Sequence, residues 1–381
     1  MNSAPFQYVP LPSEASVLEA LKRWPGGTPE GGMLVLVAES DRESVPHIQK
    51  AFAGAGRPLA GAVFPELIVD EVFVTGGALL LPLPGETGIT LVEGLSGHGD
   101  AESALAQVAE MVEARNAGNG DTLFLIFDCM VPDIGTLLDG LYLSLADRVH
   151  YAGVNAGSET FQPIDCLFDG ERFVGDAALA LLLPDQPGAI LAHNYHAPTE
   201  VITATAASGN RVTTIDWQPA FDVYQRLIQS MYGVKVTPEN FYQHAAHFPL
   251  GILRLDGEVV VRIPVALGED GDVTCVGEIP ENAVLTLLRA VEADAPDTVR
   301  HVARYAAEHP SPLMQTFYCA GRRMHLGDAA RRELADLHER LKGTRMAGAL
   351  SLGEIGSEKD GGYPLFHNAT LVCMPWGAVR E

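Results

Sequence analysis

The C-terminal part of the chain contains the stretch that decides the fold, Met346-Ala-Gly-Ala-Leu-Ser-Leu-Gly-Glu-Ile-Gly356, followed after a polar loop by Pro364-Leu-Phe-His-Asn-Ala-Thr-Leu-Val372. An apolar strand, a glycine-rich turn and a second apolar strand account for this pattern. Residues 59–82 and 151–184 repeat it, each with an Ala-Gly start and a leucine-rich second strand. In all three places a buried strand and a helix are predicted just before the hairpin, so the chain contains three βαββ units.

The repeats predict the fold class. A βαββ unit buries one face of its sheet against its helix and needs a partner for the other face. We therefore expect a mixed α/β fold of two mixed β-sheets with the helices packed outside. At 381 residues the chain exceeds one ordinary core, so two domains are expected. The predicted boundaries give an N-terminal arm at 1–30 and domains at 31–215 and 216–381.

Composition limits the classes of function. The chain carries 49 acidic and 25 basic residues, a formal net charge of -24. Such a surface repels nucleic-acid phosphates and anionic lipid, so neither nucleic acid nor a membrane is an expected partner. The N-terminus lacks the basic start and apolar core of a signal peptide, which predicts a cytoplasmic protein. The five cysteines have no CxxC spacing, so no disulfide framework is expected.

Several segments resemble the FIST sensory proteins in their order and spacing. They are Ala60-Gly-Ala-Val-Phe-Pro65, Gly153-Val-Asn-Ala-Gly157, the run 204–224, Phe248-Pro-Leu-Gly-Ile252, Val260-Val-Arg-Ile-Pro264 and the run 348–370. The resemblance covers nearly the whole chain beyond residue 30, as a FIST N domain followed by a FIST C domain. It implies a bacterial signal-transduction sensor that binds a small ligand and acts through a separate protein, such as a histidine kinase. One branch of the family binds haem and senses nitric oxide.

The third repeat carries polar groups that the other two mostly lack. Gly353 and Gly356 flank Glu354, and His367 and Asn368 lie on the following strand. Glycines allow a backbone to approach a ligand closely. A carboxylate, an imidazole and an amide on adjacent strands could bind a polar ligand such as an amino acid, or could pair with one another inside the protein.

Arg262 is isolated in an apolar strand. We expect it to pair with a buried carboxylate, with Glu354 as one candidate, or to bind an anionic ligand.

A second candidate site is Leu191-Ala-His-Asn-Tyr-His196, at the end of a predicted strand. It resembles the segment that supplies the axial histidine in the haem-binding branch, with His193-Asn194-Tyr195 in place of a His-Gly-Trp-like element. The resemblance implies His193 as ligand to haem iron, with Tyr195 and His196 beside the cofactor. The alternative is a set of hydrogen-bonded histidines at a strand end.

Three further groups of residues have side chains that can bind metal or act as nucleophiles. His244 and His247 have the spacing of two metal ligands on one helix face, without a third ligand nearby. The pairs Cys319 with His325 and Asp128 with Cys129 lack an orienting group for nucleophilic catalysis. No GxSxG, P-loop or GxGxxG motif follows a strand, so we do not expect an enzyme.

The leading hypothesis is therefore a cytoplasmic FIST sensor that binds a small ligand and signals through a partner. Its sharper version is a haem-based nitric oxide sensor. The alternatives are an amino-acid sensor without haem and a hydrolase-like enzyme that uses Glu354 and His367.

Overall fold

The computed structural model describes residues 4–377 apart from positions 26, 28, 30, 196, 256, 290–295 and 358–361, with only the backbone of 98–100. The strands of the described part are β1 Gln7–Val9, β2 Met33–Ala38, β3 Leu59–Phe64, β4 Leu67–Val69, β5 Val72–Val74, β6 Ala78–Pro82, β7 Gly88–Glu93, β8 Thr122–Asp128, β9 His150–Ala156, β10 Leu167–Asp169, β11 Phe173–Val174, β12 Ala177–Leu183, β13 Ile190–Ala192, β14 Ile202–Ser208, β15 Arg211–Ile215, β16 Gln218–Pro219, β17 Leu250–Leu253, β18 Val259–Arg262, β19 Pro264–Leu267, β20 Val273–Cys275, β21 Val284–Leu287, β22 Leu313–Cys319, β23 Arg345–Ser351, β24 Glu354–Gly356, β25 Leu365–His367 and β26 Leu371–Trp376. The helices are α1 Glu14–Lys22, α2 Val45–Ala55, α3 His98–Ala114, α4 Ile134–Leu145, α5 Ala220–Tyr232, α6 Phe241–Ala245, α7 Asp297–Glu308, α8 Ala320–Leu326 and α9 Asp328–Arg340.

The three predicted βαββ units are present and share one topology. In each unit the first two strands are parallel, as a strand–helix–strand connection requires. These pairs are β2 with β3, β8 with β9, and β22 with β23. The last strand of each unit, β6, β12 or β26, pairs antiparallel on the other side of the first strand.

The short hairpin inside each unit crosses into the sheet of another unit. The hairpin β4–β5 pairs with β23, β10–β11 pairs with β3, and β24–β25 pairs with β9. The exchange is cyclic, so each of the three units both donates a hairpin and receives one. Three six-stranded sheets with the same strand order are thereby interlocked.

The prediction of two sheets was wrong, since the described residues form four. The fourth is an eight-stranded sheet made of β14–β21. In the sequence these strands follow β13 and precede α7, the helix before the third unit. We call residues 197–289 the inserted domain and the rest the scaffold. Hydrophobic pattern alone cannot show that a hairpin leaves its own unit, because it specifies a buried face but not the neighbouring strand.

Each sheet is completed at one edge by a strand that precedes its unit: β1 on β6, β7 on β12, and β13 on β26. Part of the predicted N-terminal arm therefore belongs to the first sheet, and Val17 and Leu21 of α1 are buried there. The boundary predicted at 215 and 216 lies within the inserted domain. The two predicted domains, 31–215 and 216–381, therefore do not coincide with the scaffold and the inserted domain.

The three sheets meet face to face in one apolar core. The ring centroid of Phe317 lies 5.7 Å from that of Phe64 and 5.8 Å from that of Phe124, so one aromatic from each sheet meets near the centre. The outer faces are covered by helices, with α3 and α4 on the second sheet and α7 and α9 on the third. Helices outside the sheets were predicted and are confirmed.

The repeated Ala-Gly start has a steric cause. In each parallel pair the glycine of the second strand lies against a carbonyl oxygen of the first. A Cβ atom on Gly61, Gly153 or Gly348 would come within 2.6, 2.3 and 1.8 Å of the backbone oxygens of Val35, Leu125 and Thr316, respectively. Because these contacts are with backbone, no side-chain rotation relieves them.

Candidate functional site

The carboxyl ends of the parallel strands β8 and β9 lie against the inserted domain. Ligands of open α/β sheets bind outside these ends, where strands separate and side chains converge. A cavity of about 310 Å³, here the main cavity, lies between the two parts. The scaffold lines it with Met130, Asn155 and Phe366, and the inserted domain with Asn210 and Val265.

Two smaller or shallower spaces adjoin the main cavity. A side cavity of about 60 Å³ shares Phe161, Val265 and Val276 with it and reaches Cys319 and Asn368. A cleft of about 370 Å³ shares Asp133 and Glu278 and reaches Arg262. A small ligand therefore has a preformed space at the contact between scaffold and inserted domain.

Asn155 is the polar residue that marks the main cavity. Its side chain is 1% exposed, and its Oδ1 has no hydrogen-bond partner among the described residues. Strand register places Val63 and Leu350 at the corresponding positions of the other two units. A buried acceptor without a partner costs about 1–3 kcal/mol, so the scaffold alone does not account for an amide here.

Asn155 was not among the residues predicted from the sequence, although a signal was present. The third repeat differs from the other two at Glu354 and His367, and the second repeat differs from the others in the same way at position 155. An amide in place of the apolar residues Val63 and Leu350 is the departure that identifies the position.

Glu278 fastens the inserted domain to the scaffold beside this cavity. Its carboxylate accepts hydrogen bonds from the backbone amides of Gly135 and Thr136, at 2.8 and 3.1 Å, and from the Thr136 hydroxyl at 2.8 Å. These donors belong to the first turn of α4, where backbone N–H groups lack intrahelical partners and favour an anion. A Cβ on Gly135 would lie 2.4 Å from Glu278 Oε2, so the glycine makes room for the carboxylate.

Glu354 is fully buried and is held by its own neighbours. Its two oxygens accept hydrogen bonds from the hydroxyls of Ser351, at 2.6 Å, and Thr370, at 2.8 Å. Burial raises the pKa of Glu354 to about 7, while the hydrogen bonds from Ser351, Thr370 and Cys319 partly oppose the shift. Of the two predicted roles, the structure shows internal pairing.

The stability of the protein should depend on pH through Glu354. Its pKa rises from an ordinary 4.5 to about 7 on folding, so the folded protein binds more protons across that window. The contribution of Glu354 to the free energy of unfolding is fully present below pH 4.5. It is lost as the pH rises towards 7, and the total loss is about 3 kcal/mol. We expect Glu354→Gln to remove this slope, as measured by urea unfolding at pH 5 and pH 8. Equal slopes in the two proteins would contradict the assignment.

His367 lies opposite Glu354 in the β24–β25 register, so the two side chains share one face of the sheet. The imidazole is fully buried, and neither ring nitrogen has a partner among the described residues. Its pKa lies well below the ordinary value because burial disfavours the charged form, and nearby His193 and Arg262 add to this. Neither Glu354 nor His367 lines the main cavity, the side cavity or the cleft.

The other residues predicted around Glu354 are dispersed. Asn368 lines the side cavity and accepts a hydrogen bond from Ile263 N at 3.4 Å. Gly353 is needed by packing, since a Cβ there would lie 2.4 Å from the Phe366 ring. Gly356 has only ordinary contacts, the nearest at 3.5 Å from Leu191.

Arg262 does not pair with Glu354. Its guanidinium donates to the carbonyls of Glu278 and Phe366, each at 2.7 Å, and to that of Val261 at 3.1 Å. Burial lowers the pKa of Arg262 to about 10. Its expected partnership with Glu354 is therefore replaced by backbone carbonyls, which link the inserted domain to β25.

The surroundings of His193 do not fit a haem. The side chain is 2% exposed, its Nδ1 accepts a hydrogen bond from Tyr195 N at 2.9 Å, and its Nε2 lies 3.2 Å from Val259 O. An axial ligand needs one free imidazole nitrogen that faces a large apolar pocket. Both nitrogens of His193 are engaged, and His193 lines none of the three spaces described above. Tyr195 is buried beside it, and His196 lies outside the described residues.

A buried ion pair, which was not predicted from the sequence, lies next to His193. Arg322 is 1% exposed and bonds Glu333 through Nε at 2.9 Å and Nη2 at 2.6 Å. Its Nη1 donates to the carbonyls of His193, at 3.0 Å, and Ala369, at 3.4 Å. Arg322 thereby fixes the segment that leads from the scaffold into the inserted domain.

The histidines and cysteines named as possible metal ligands or nucleophiles lie in packed contacts. His247 hydrogen-bonds His325 through the two Nδ1 atoms, across the contact between inserted domain and α8. Among the residues that the structure describes, no group of three or more His, Cys, Asp or Glu side chains could hold a metal ion. Burial raises the pKa of Cys129 to about 12 and that of Cys319 further, which disfavours the thiolate nucleophile.

Two protein-family models match most of the chain. The model of the FIST N domain matches residues 33–218, and the model of the FIST C domain matches residues 220–357. No curated protein matches the chain. Over the described part of the chain, no helix is long and apolar enough to cross a membrane. The two family models meet inside the inserted domain, between β15 and α5.

Proposed function

The chain belongs to the FIST family of sensory domains, and we propose that it senses a small molecule bound in the main cavity between scaffold and inserted domain. The observation that carries the proposal is Asn155, which lines the cavity of about 310 Å³ and whose buried Oδ1 has no partner among the described residues. A hydrogen-bond donor from a ligand would remove the cost of that buried acceptor. A ligand contact at this position also explains why one repeat alone carries an amide there.

The position of the cavity suggests how binding reaches the rest of the protein. Its walls come from both parts of the chain, which Glu278 fastens together at the first turn of α4. A ligand that binds one arrangement of the two parts more tightly shifts the population towards it. We propose that a separate signalling protein, such as a histidine kinase, recognises that arrangement.

The proposed ligand is not a haem held by His193, because both nitrogens of that imidazole are engaged. It is not a substrate of Glu354 and His367 either, since neither side chain lines the main cavity. The proposal therefore keeps the family's sensory role without an enzymatic step.

A thermal-shift screen tests the site. The probes are free amino acids, amines, small carboxylates and haem, the last also followed by its absorption spectrum. Probes that bind the native state raise the melting temperature. Val265→Trp should abolish the shift, because Val265 lines both the main and the side cavity. Val284→Trp is the matched control, at an exposed position away from these cavities. Shifts unaffected by Val265→Trp would place the site elsewhere.

Asn155→Leu should separate binding from stability. Leucine has as many side-chain heavy atoms as asparagine, in the same branched arrangement, and is the residue found at the corresponding position, 350. Removing a buried acceptor that has no partner should raise the free energy of unfolding by about 1 kcal/mol. The same change should weaken binding of any probe found in the screen about tenfold. Unchanged affinity in the variant would contradict a role for Asn155 in binding.

A further inference from the structure

We propose that the ligand is a compact apolar molecule with a protonated amine, an inference that rests on the main cavity being the binding site. The main cavity has about twice the volume of cavities of about 150 Å³ that admit benzene. One ring with a short side chain fits that space. The charge of the ligand follows from the charged groups that line it.

Two charged side chains of the described residues line the main cavity, and both are acidic, Asp133 and Glu278. Glu278 uses its carboxylate on the first turn of α4. This contact matters for charge, because free amides at a helix N-terminus would otherwise attract an anion. With Glu278 in place, that source of positive potential is already neutralised.

Asp133 is the carboxylate left for a ligand. It stands at the N-cap position of α4, where an aspartate usually caps its own helix, yet its side chain makes no capping hydrogen bond. Its backbone has a φ of 55°, in the left-handed region, which directs the residue away from an ordinary cap. Among the described residues, its carboxylate has neither an ion pair nor a hydrogen bond to it. A cationic group on a ligand would supply that partner.

Asn155 and two aromatic rings also favour a positively charged ligand. The free Oδ1 of Asn155 accepts a hydrogen bond, which an ammonium group can donate. Phe161 and Phe366 line the cavity, and aromatic faces attract cations. Phe366 already has the Arg262 guanidinium 5.4 Å from its ring centroid.

Arg262 does not provide an anion site in the main cavity. It lines the neighbouring cleft, and its guanidinium donates to three backbone carbonyls. A carboxylate on the ligand would thus meet Asp133 and Glu278, with no cationic side chain of the described residues in the same cavity. A free amino acid should bind less tightly than the amine of the same side chain.

Isothermal titration of the full chain tests the inference with three probes of one shape: 2-phenylethylamine, 2-phenylethanol and 3-phenylpropionate. We expect the amine to bind at least tenfold more tightly than the carboxylate, with the alcohol between them. Asp133→Asn should weaken the amine about tenfold and leave the alcohol within about twofold. Thr136→Val, on the same turn, removes a hydroxyl bound to Glu278 and serves as the control for local disturbance.

The outcomes distinguish the two levels of the proposal. Equal or tighter binding of the carboxylate, when Val265→Trp abolishes it, would overturn the amine and leave the cavity as the site. Binding of the amine that Asp133→Asn does not change would also overturn the amine assignment. If Val265→Trp changes neither these titrations nor any shift in the wider screen, the proposed site itself fails.

Discussion

Gly348→Ala is expected to destabilise the protein by at least about 3 kcal/mol. A Cβ at this position would lie 1.8 Å from the carbonyl oxygen of Thr316, which belongs to the adjacent parallel strand. The contact is with backbone, so β22 and β23 must separate to admit the methyl group. That separation would disrupt the centre of the third sheet, where both strands are fully paired.

Urea unfolding of the wild type, Gly348→Ala and Gly356→Ala provides the test. The control glycine lies on β24, paired with Leu365 of β25, and its nearest Cβ contact would be an ordinary 3.5 Å from Leu191. We expect the Gly356→Ala midpoint to stay close to wild type. If both variants unfold at the same urea concentration, the steric account of the Ala-Gly repeat is wrong.

Glu333→Ala should cost about 3–5 kcal/mol, because it leaves the Arg322 guanidinium buried without its counter-ion. Both side chains are nearly inaccessible, at 1% and 7% exposure, and the pair has two hydrogen bonds. Tyr318 also donates to Glu333, at 2.5 Å, so the deletion leaves a second buried donor unpaired. The change should loosen the segment at His193, whose carbonyl Arg322 holds.

The matched control lies on the same helix. Asp336→Ala removes one partner of the half-exposed Arg340–Asp336 pair, and such pairs contribute about 1 kcal/mol or less. Denaturation in urea should therefore separate the two variants clearly. The double variant Arg322→Met with Glu333→Leu should recover part of the loss, since it removes both charges. Similar midpoints for Glu333→Ala and Asp336→Ala would contradict the account.

The three βαββ units could be predicted because their signals are local. Continuous apolar runs at 33–38 and 122–127 are typical of strands covered on both faces, and the structure has β2 and β8 there. The helix between each pair follows from its own periodicity. The Ala-Gly start was also visible in the sequence, although its steric cause required the position of the neighbouring carbonyl.

The exchange of hairpins and the inserted domain could not be predicted. Each hairpin pairs with a strand far away in sequence, as β4 does with β23, and side-chain pattern does not encode that partner. The inserted domain ends with β21 Val284–Leu287, and α7 Asp297–Glu308 follows it in the chain. Pairing on both sides, with β14 and β17, holds β21 as an interior strand of its sheet.

The candidate site, too, could be predicted only in its local features. The comparison of repeats selected Glu354 and His367 as groups that the scaffold alone does not require, and the structure places them opposite each other. Whether such groups face a cavity or the interior depends on the sheet to which the hairpin is added. Because β24 pairs with β9, Phe366 reaches the main cavity while Glu354 and His367 face away from it.

The most direct test of the central claim is hydrogen–deuterium exchange on the full chain, with and without the strongest probe from the screen. The account predicts slower exchange in two segments, residues 129–134 and 275–278, which line the main cavity from the scaffold and the inserted domain. Protection at both segments, lost in Val265→Trp, would confirm a ligand between the two parts. Protection confined to the strands around Glu354 and His367, with neither segment changed, would contradict it.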